Sequence, residues 1–252
     1  MLVQFPSTLR ADITLPTSKS ISARALILRA LAGADTPIHD LSDSDDTRAL
    51  LAALAATTKG NQVEKNRQTP QSEEKVTEKN GARTSSDAND SSTFPIDIGA
   101  AGTAMRFLTA YFATCPGKSC MLTGSARMKE RPIALLVDAL RSLGAEIDYV
   151  EKEGFPPLRI QGKTLRGGTV ELSAQVSSQY ISALLMIAPT LEQGLTLRLL
   201  GEIASAPYIA MTLALMKSFG VDAKWEGNEL FVPAGRYRKR GYRGTKQIIN
   251  FN

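Results

Sequence analysis

Residues 132–150 read PIALLVDALRSLGAEIDYV, and residues 207–226 read PYIAMTLALMKSFGVDAKWE. Each stretch opens on proline, carries apolar residues at helical spacing, meets glycine at Gly144 or Gly220, and passes into a β-prone run. Proline suits a first helical turn because its missing N–H would have no partner there, and glycine suits the stop because it accepts positive φ. The two openings, Pro132 and Pro207, lie 75 residues apart, so the pair is an internal repeat.

Working outward, GTAMRFLTAYFA from Gly102 and SQYISALLMIAP from Ser178 repeat at about the same offset, each ahead of its Pro-started helix. An earlier pair fits the scheme: SKSISARALILRALAG from Ser18 and DDTRALLAALAA from Asp45, with Asp45 and Asp46 where carboxylates favour the positive end of a helix dipole. Short β-rich runs separate the helices, at 37–39, 96–98, 119–122, 146–150, 158–161, 169–172, 195–199, 222–225 and 229–232. The order strand, helix, strand, helix, strand, strand predicts three α/β units with helices packed against sheets. From Lys59 to Thr93 large apolar side chains almost vanish, and this low-complexity stretch is expected to be a disordered surface insertion.

Composition narrows the function. A chain of 252 residues with 43% apolar content builds a core without disulfides, and Cys115 and Cys120 read as packing residues in a reducing, cytoplasmic setting. The first fifteen residues lack the apolar stretch of an export signal. The longest apolar run, Tyr180 to Leu191, falls short of the roughly 20 residues that cross a bilayer, so no membrane partner is expected. The pI of about 9.2 comes from residues 236–252, which hold six cations and no acid; without them the net charge of +5 becomes −1. Without aromatic stacking platforms or a helical reading motif, that tail predicts no specific nucleic-acid partner.

Three helix starts combine small or hydroxylated residues with a cation, the arrangement in which free backbone N–H groups receive anions. The first is Thr17-Ser18-Lys19-Ser20, with Arg24 one turn on along the same face, near enough to share one anion. The second is Gly99–Thr103 followed by Arg106, where Gly102 permits close approach. The third is Ser177-Ser178-Gln179, and the loop before the last long helix adds Ser205 and Tyr208. Arg127 lies in a polar loop, its planar fork suited to a carboxylate or phosphate, whereas Lys129, Glu130 and Arg131 read as a self-paired surface group. Equivalent starts in repeated units can converge on one cleft, which favours a polyanionic small molecule.

The motifs LPTSKSxSxR (15–24), DSDDTR (43–48), AGTAMR (101–106), RMKERP (127–132), VSSQ (176–179) and SxPY (205–208) occur in this order, and together they resemble the EPSP synthase family of enolpyruvyl transferases. The resemblance runs from about Leu15 to Val232. It implies a lobe of three βαβαββ repeats forming an inside-out α/β barrel, over residues 15–235. It further implies that residues 1–14 form a strand belonging to a second lobe that is largely missing here. The basic residues 236–252 resemble nothing in the family and are expected to be a disordered tail.

The implied reaction moves the enolpyruvyl group of phosphoenolpyruvate to the 5-hydroxyl of shikimate 3-phosphate and releases phosphate, with no metal or organic cofactor. By resemblance, Lys19, Ser20, Arg24, Ser177, Ser178, Gln179, Ser205 and Tyr208 hold shikimate 3-phosphate. Lys19, Gly102, Arg127 and Gln179 hold phosphoenolpyruvate, and Lys19 is the catalytic candidate. Ala100 stands where the family commonly has asparagine, and the family's catalytic carboxylates belong to the other lobe. The chain alone is therefore expected to be a monomer that binds shikimate 3-phosphate without turnover. Two alternatives stand beside this reading: a related enzyme of nucleotide sugars, whose mobile loop carries a cysteine that residues 124–132 lack, and a polyanion-binding fragment acting through its tail.

Overall fold

A computed structural model of the chain describes residues 11–14, 17–34, 37–65, 93–240, 242–243 and 248–251. The repeat read from residues 132 and 207 is carried by two four-stranded sheets with identical connectivity. In the first, β3 (Thr93–Asp97) leads through helix α3 (Gly102–Ala113) to β4 (Ser119–Thr123), then through the short α4 (Ala126–Lys129) and α5 (Ala134–Ser142) to β5 (Glu146–Tyr149) and β6 (Leu158–Gln161). Its strand order is β3-β4-β6-β5, with β3 and β4 parallel and the other pairs antiparallel. In the second, β7 (Gly168–Ser173), α6 (Ser178–Ile187), β8 (Leu195–Leu200), α7 (Ala206–Ser218), β9 (Lys224–Glu226) and β10 (Glu229–Val232) give the order β7-β8-β10-β9 with the same sense at every pairing.

The caps behave as the repeat requires. Gly144 and Gly220 stand at φ of 102° and 87°, and the residue after each glycine donates back to the helix, Ala145 to the Leu140 carbonyl at 2.9 Å and Val221 to that of Met216 at 3.0 Å. These paired bonds satisfy carbonyls that a helix end would otherwise leave bare. The starts differ in detail: α7 contains Pro207 in its first turn, but α5 begins at Ala134, two residues beyond Pro132.

A third unit precedes these two and is described in part. It comprises α1 (Lys19–Leu31), β2 (Ile38–His39) and α2 (Asp45–Lys65), and β1 (Ala11–Thr14) stands before it. Among the described residues two βαβαββ units are therefore complete, and residues 66–92 lie outside the described residues. Helix α2 runs through Lys65, and β3 begins at Thr93, so the expected 59–93 insertion overlaps regular structure at both ends.

Helices α1, α3 and α6 touch one another at the centre. Every residue of α3 from Thr103 to Ala113 is buried, as is every residue of α6 from Tyr180 to Ile187, which is why both read as apolar all round rather than on one stripe. Buried side chains such as Phe107, Leu108 and Phe112 each contribute roughly 1.5–3 kcal/mol by leaving water. Strands β6, β8 and β10 alternate buried and exposed positions, so the sheets cover the helices on one face and meet solvent on the other.

The beginning of the tail is part of the fold, which corrects the expected boundary at 236. Tyr237 is 6% exposed, its hydroxyl donates to the Met186 carbonyl at 2.7 Å, and its ring meets Phe219 edge-on at 6.5 Å. Arg238 donates its backbone N–H to Phe219, and Arg240 reaches the Ser218 carbonyl. These cations close over the C-terminal end of α7, where exposed carbonyls favour positive charge. Two further strands follow: β11 (Tyr242–Arg243) beside β2, and β12 (Ile248–Phe251) antiparallel to β1. The remaining tail residues lie outside the described residues.

Candidate functional site

The N-terminal ends of the three central helices meet at a cleft of about 450 Å³. Helix α1 contributes Lys19, α2 contributes Asp46, and α6 contributes Gln179 and Tyr180. The glycine turn and α3 supply Ala100, Gly102, Thr103 and Arg106, and the segment ahead of α5 supplies Arg131 and Pro132. The lining thus holds three cations and one carboxylate.

Local structure fixes each group. Ser18 caps α1, accepting the Ile21 N–H at 3.4 Å, and Ser177 caps α6, accepting that of Gln179 at 3.4 Å. Helix α3 starts on Ala101, which has no side chain to cap it, and its cap comes from elsewhere. Asp46 Oδ1 accepts the backbone N–H groups of Thr103 at 2.7 Å and Ala104 at 3.2 Å, while Oδ2 receives Lys19 Nζ at 3.1 Å. The carboxylate expected to serve the dipole of its own helix serves that of a neighbour. Gln179 Nε2 donates to Thr103 Oγ1 at 3.1 Å, which joins the starts of α6 and α3.

Gly102 is needed for space rather than for an unusual φ. A Cβ there would lie 2.6 Å from an Arg131 terminal nitrogen and 3.3 Å from one of Arg106, so two guanidinium groups lie against the glycine. Arg106 is held by the Gly102 carbonyl at 3.1 Å, by Met128 Sδ at 3.7 Å, and by the face of Tyr180, whose hydroxyl bonds to the Pro132 carbonyl at 2.7 Å. The loop bearing Arg127 is pinned to the glycine turn by a Ser125 N–H to Gly99 carbonyl bond of 2.9 Å and by buried Met128. Arg127 itself is exposed on α4 and does not line the cleft.

The other expected residues gather beside the cleft. Arg24 is 2% exposed, donating to Thr212 Oγ1 and Ser182 Oγ at 2.7 Å each and to the Ser20 carbonyl at 3.0 Å, between the rings of Phe107 and Tyr208. Burial pushes its pKa down to about 10, with Tyr208 acting in the opposite direction. Tyr208 is 46% exposed at the start of α7, and Ser205 just before it has a buried hydroxyl without a partner among the described residues. Ser177 and Ser178 sit at the start of α6. The structure therefore brings Lys19, Gly102 and Gln179 into one cleft, sets Ser20, Arg24 and Tyr208 on its α1–α7 flank, and leaves Arg127 on the neighbouring loop.

Two lining side chains, Arg131 and Asp46, were not expected in the site, whereas Arg106 was read as the cation of the second helix start, one helical turn beyond Gly102, and was given no ligand. Arg131 was read as a surface partner of its neighbours, yet Lys129 pairs with Glu151 instead, leaving Arg131 to the cleft. Asp46 carried no signal of its cross-helix role. Among the described residues, no group of three or more His, Cys, Asp or Glu could hold a metal ion, and no helix is long and apolar enough to cross a membrane.

The sequence profile described as EPSP synthase (3-phosphoshikimate 1-carboxyvinyltransferase) matches residues 3–244. A 3-phosphoshikimate 1-carboxyvinyltransferase of Bacteroides fragilis is 50% identical over 228 residues, covering 90% of this chain and 47% of the relative. That of Pectobacterium carotovorum is 43% identical over 232 residues, covering 92% and 52%. The solved EPSP synthase of Acinetobacter baumannii shares the fold at a TM-score of 0.70 and 21% identity, over 95% of this chain and 51% of that one. The chain spans about half the length of these relatives. Fold, ordered motifs and profile agree: the chain belongs to the EPSP synthase (3-phosphoshikimate 1-carboxyvinyltransferase) family.

Proposed function

We propose that this chain supplies one half of a site that transfers the enolpyruvyl group of phosphoenolpyruvate to the 5-hydroxyl of shikimate 3-phosphate. The observation that carries the reading is the meeting of three central helix starts with Lys19, Arg106 and Arg131 around one cleft. Two unit anions about 5 Å apart repel by roughly 1–3 kcal/mol at effective dielectrics of 80 to 20, so joining two anionic substrates requires such fixed positive charge.

In this reading Lys19, Ser20, Arg24, Ser177, Ser178, Gln179, Ser205 and Tyr208 hold shikimate 3-phosphate. Arg24 favours that role physically: a desolvated guanidinium with only neutral partners gains from an arriving anion. Gly102, Arg127, Gln179 and Lys19 hold phosphoenolpyruvate. The 5-hydroxyl oxygen bonds to C2 of phosphoenolpyruvate as C3 takes a proton, for which the Lys19 ammonium is the donor in this half. The hydroxyl proton passes to a base, and the resulting ketal then loses phosphate from C2 and the added proton from C3. The one carboxylate lining the cleft, Asp46, is committed to Lys19 and α3, so the base comes from outside this cleft. We place the chain in the cytoplasm as a monomer.

Titration calorimetry with shikimate 3-phosphate tests the reading. The chain should bind one equivalent, Lys19→Met should weaken binding at least tenfold, and adding phosphoenolpyruvate should release no phosphate. Absence of binding, or binding indifferent to Lys19, would contradict the proposal.

A further inference from the structure

We propose that Asp46 is a positioning residue for Lys19, fixing its ammonium in the cleft by welding it to the start of α3; the idea rests on the functional reading above. Lys19 is a flexible, exposed cation of the cleft. Its side chain is 51% exposed, it has four rotatable bonds, and its one partner among the described residues is Asp46. Asp46 is its opposite, with a side chain 12% exposed and its other oxygen clamped by the two α3 amides at 2.7 and 3.2 Å. A carboxylate held in this way is a rigid anchor rather than a loose surface partner, and it transmits the position of α3 to the lysine. The same geometry fills the α3 amides at Thr103 and Ala104. A ligand anion is thereby directed to the Lys19, Arg106 and Arg131 side of the cleft rather than to the helix end.

The two roles of Asp46 separate by substitution. In Asp46→Asn the amide oxygen still accepts from Thr103 and Ala104, but the NH2 group faces the Lys19 ammonium, donor against donor, and the tether is lost. In Asp46→Glu the carboxylate still reaches the flexible lysine, while the added methylene carries it past the α3 amides and weakens the cap. Positioning therefore predicts opposite orders for binding and for stability.

The experiment measures the affinity of the full chain for inorganic phosphate and for shikimate 3-phosphate by calorimetry, with thermal melts of each variant. Asp46→Asn should weaken phosphate binding five- to tenfold while melting near the parent. Asp46→Glu should bind within threefold of the parent while melting lower. Tighter binding by Asp46→Asn would mean that Asp46 acts only as a negative charge opposing the anion, and unchanged binding by Asp46→Asn beside weaker binding by Asp46→Glu would mean that it acts only as a cap; either result overturns the proposal, as does equal weakening in both variants. Failure of the parent to bind phosphate overturns it too. Binding of phosphate but not of shikimate 3-phosphate by the parent would sink the functional reading alone.

Discussion

Replacing Arg24 with methionine should stabilise the empty fold and remove most of its response to ligand. The guanidinium is 2% exposed, and its three acceptors are two hydroxyls and a carbonyl, none of them a counter-ion. Burial lowers its pKa from the ordinary guanidinium value to about 10. At about 1.4 kcal/mol per unit, keeping this charge inside costs the fold about 3 kcal/mol. Removing it leaves no acceptor bare. Ser182 and Thr212 bond to each other at 3.0 Å, Thr212 also donates to the Tyr208 carbonyl, and Ser20 remains within the α1 ladder.

The lost hydrogen bonds return part of that gain, at about 1 kcal/mol net each for those not replaced, so a gain of about 1–2 kcal/mol remains. The sign with pH follows from a folded pKa below the unfolded value. The penalty is complete at neutral pH and is relieved only as pH rises beyond about 10 towards the ordinary guanidinium range, so the difference between variant and parent stays flat from about pH 6 to 9. Urea denaturation with and without shikimate 3-phosphate measures both effects. Ligand at a hundred times its Kd should stabilise the parent by about 2.7 kcal/mol and the variant by less than a third of that. A variant that loses about 2 kcal/mol, or one that keeps the full ligand response, would refute the reasoning.

Other substitutions probe separate links. Gly102→Ala should fold normally but displace Arg131, the flexible neighbour 2.6 Å from the new methyl group, and weaken phosphoenolpyruvate binding several-fold in calorimetry. Tyr237→Ala should cost about 3–4 kcal/mol in urea denaturation, because it removes a buried ring and its bond to Met186; a cost below about 1 kcal/mol would mean that the segment after Val232 does not belong to the fold. Gly162→Ala would set a methyl group 2.0 Å from the Cys115 carbonyl oxygen, and since backbone rather than side chain must yield, loss of soluble protein is expected on expression.

The repeat was legible because its signals are local: proline near the start, glycine at the stop, and apolar spacing between them. Helices α3 and α6 were equally readable, since burial on all sides leaves few polar residues along them. What the sequence hid depends on partners far along the chain. Arg24 read as sharing an anion with Lys19 because only its own helix was in view, whereas its acceptors Ser182 and Thr212 are 158 and 188 residues away. Asp46 caps a helix 57 residues on, and Tyr237 reaches back 51 residues to Met186, so neither role is written in nearby spacing. The tail misled for a related reason: its charge density implied solvation, yet its first cations cover a helix end.

The most direct test follows backbone amide resonances of the isotopically labelled chain during titration with shikimate 3-phosphate. The account predicts that Ser20, Gly102 and Gln179, one from each central helix, shift together along a single saturable curve. Shifts confined to one helix start, or to Arg236–Arg240, would contradict it.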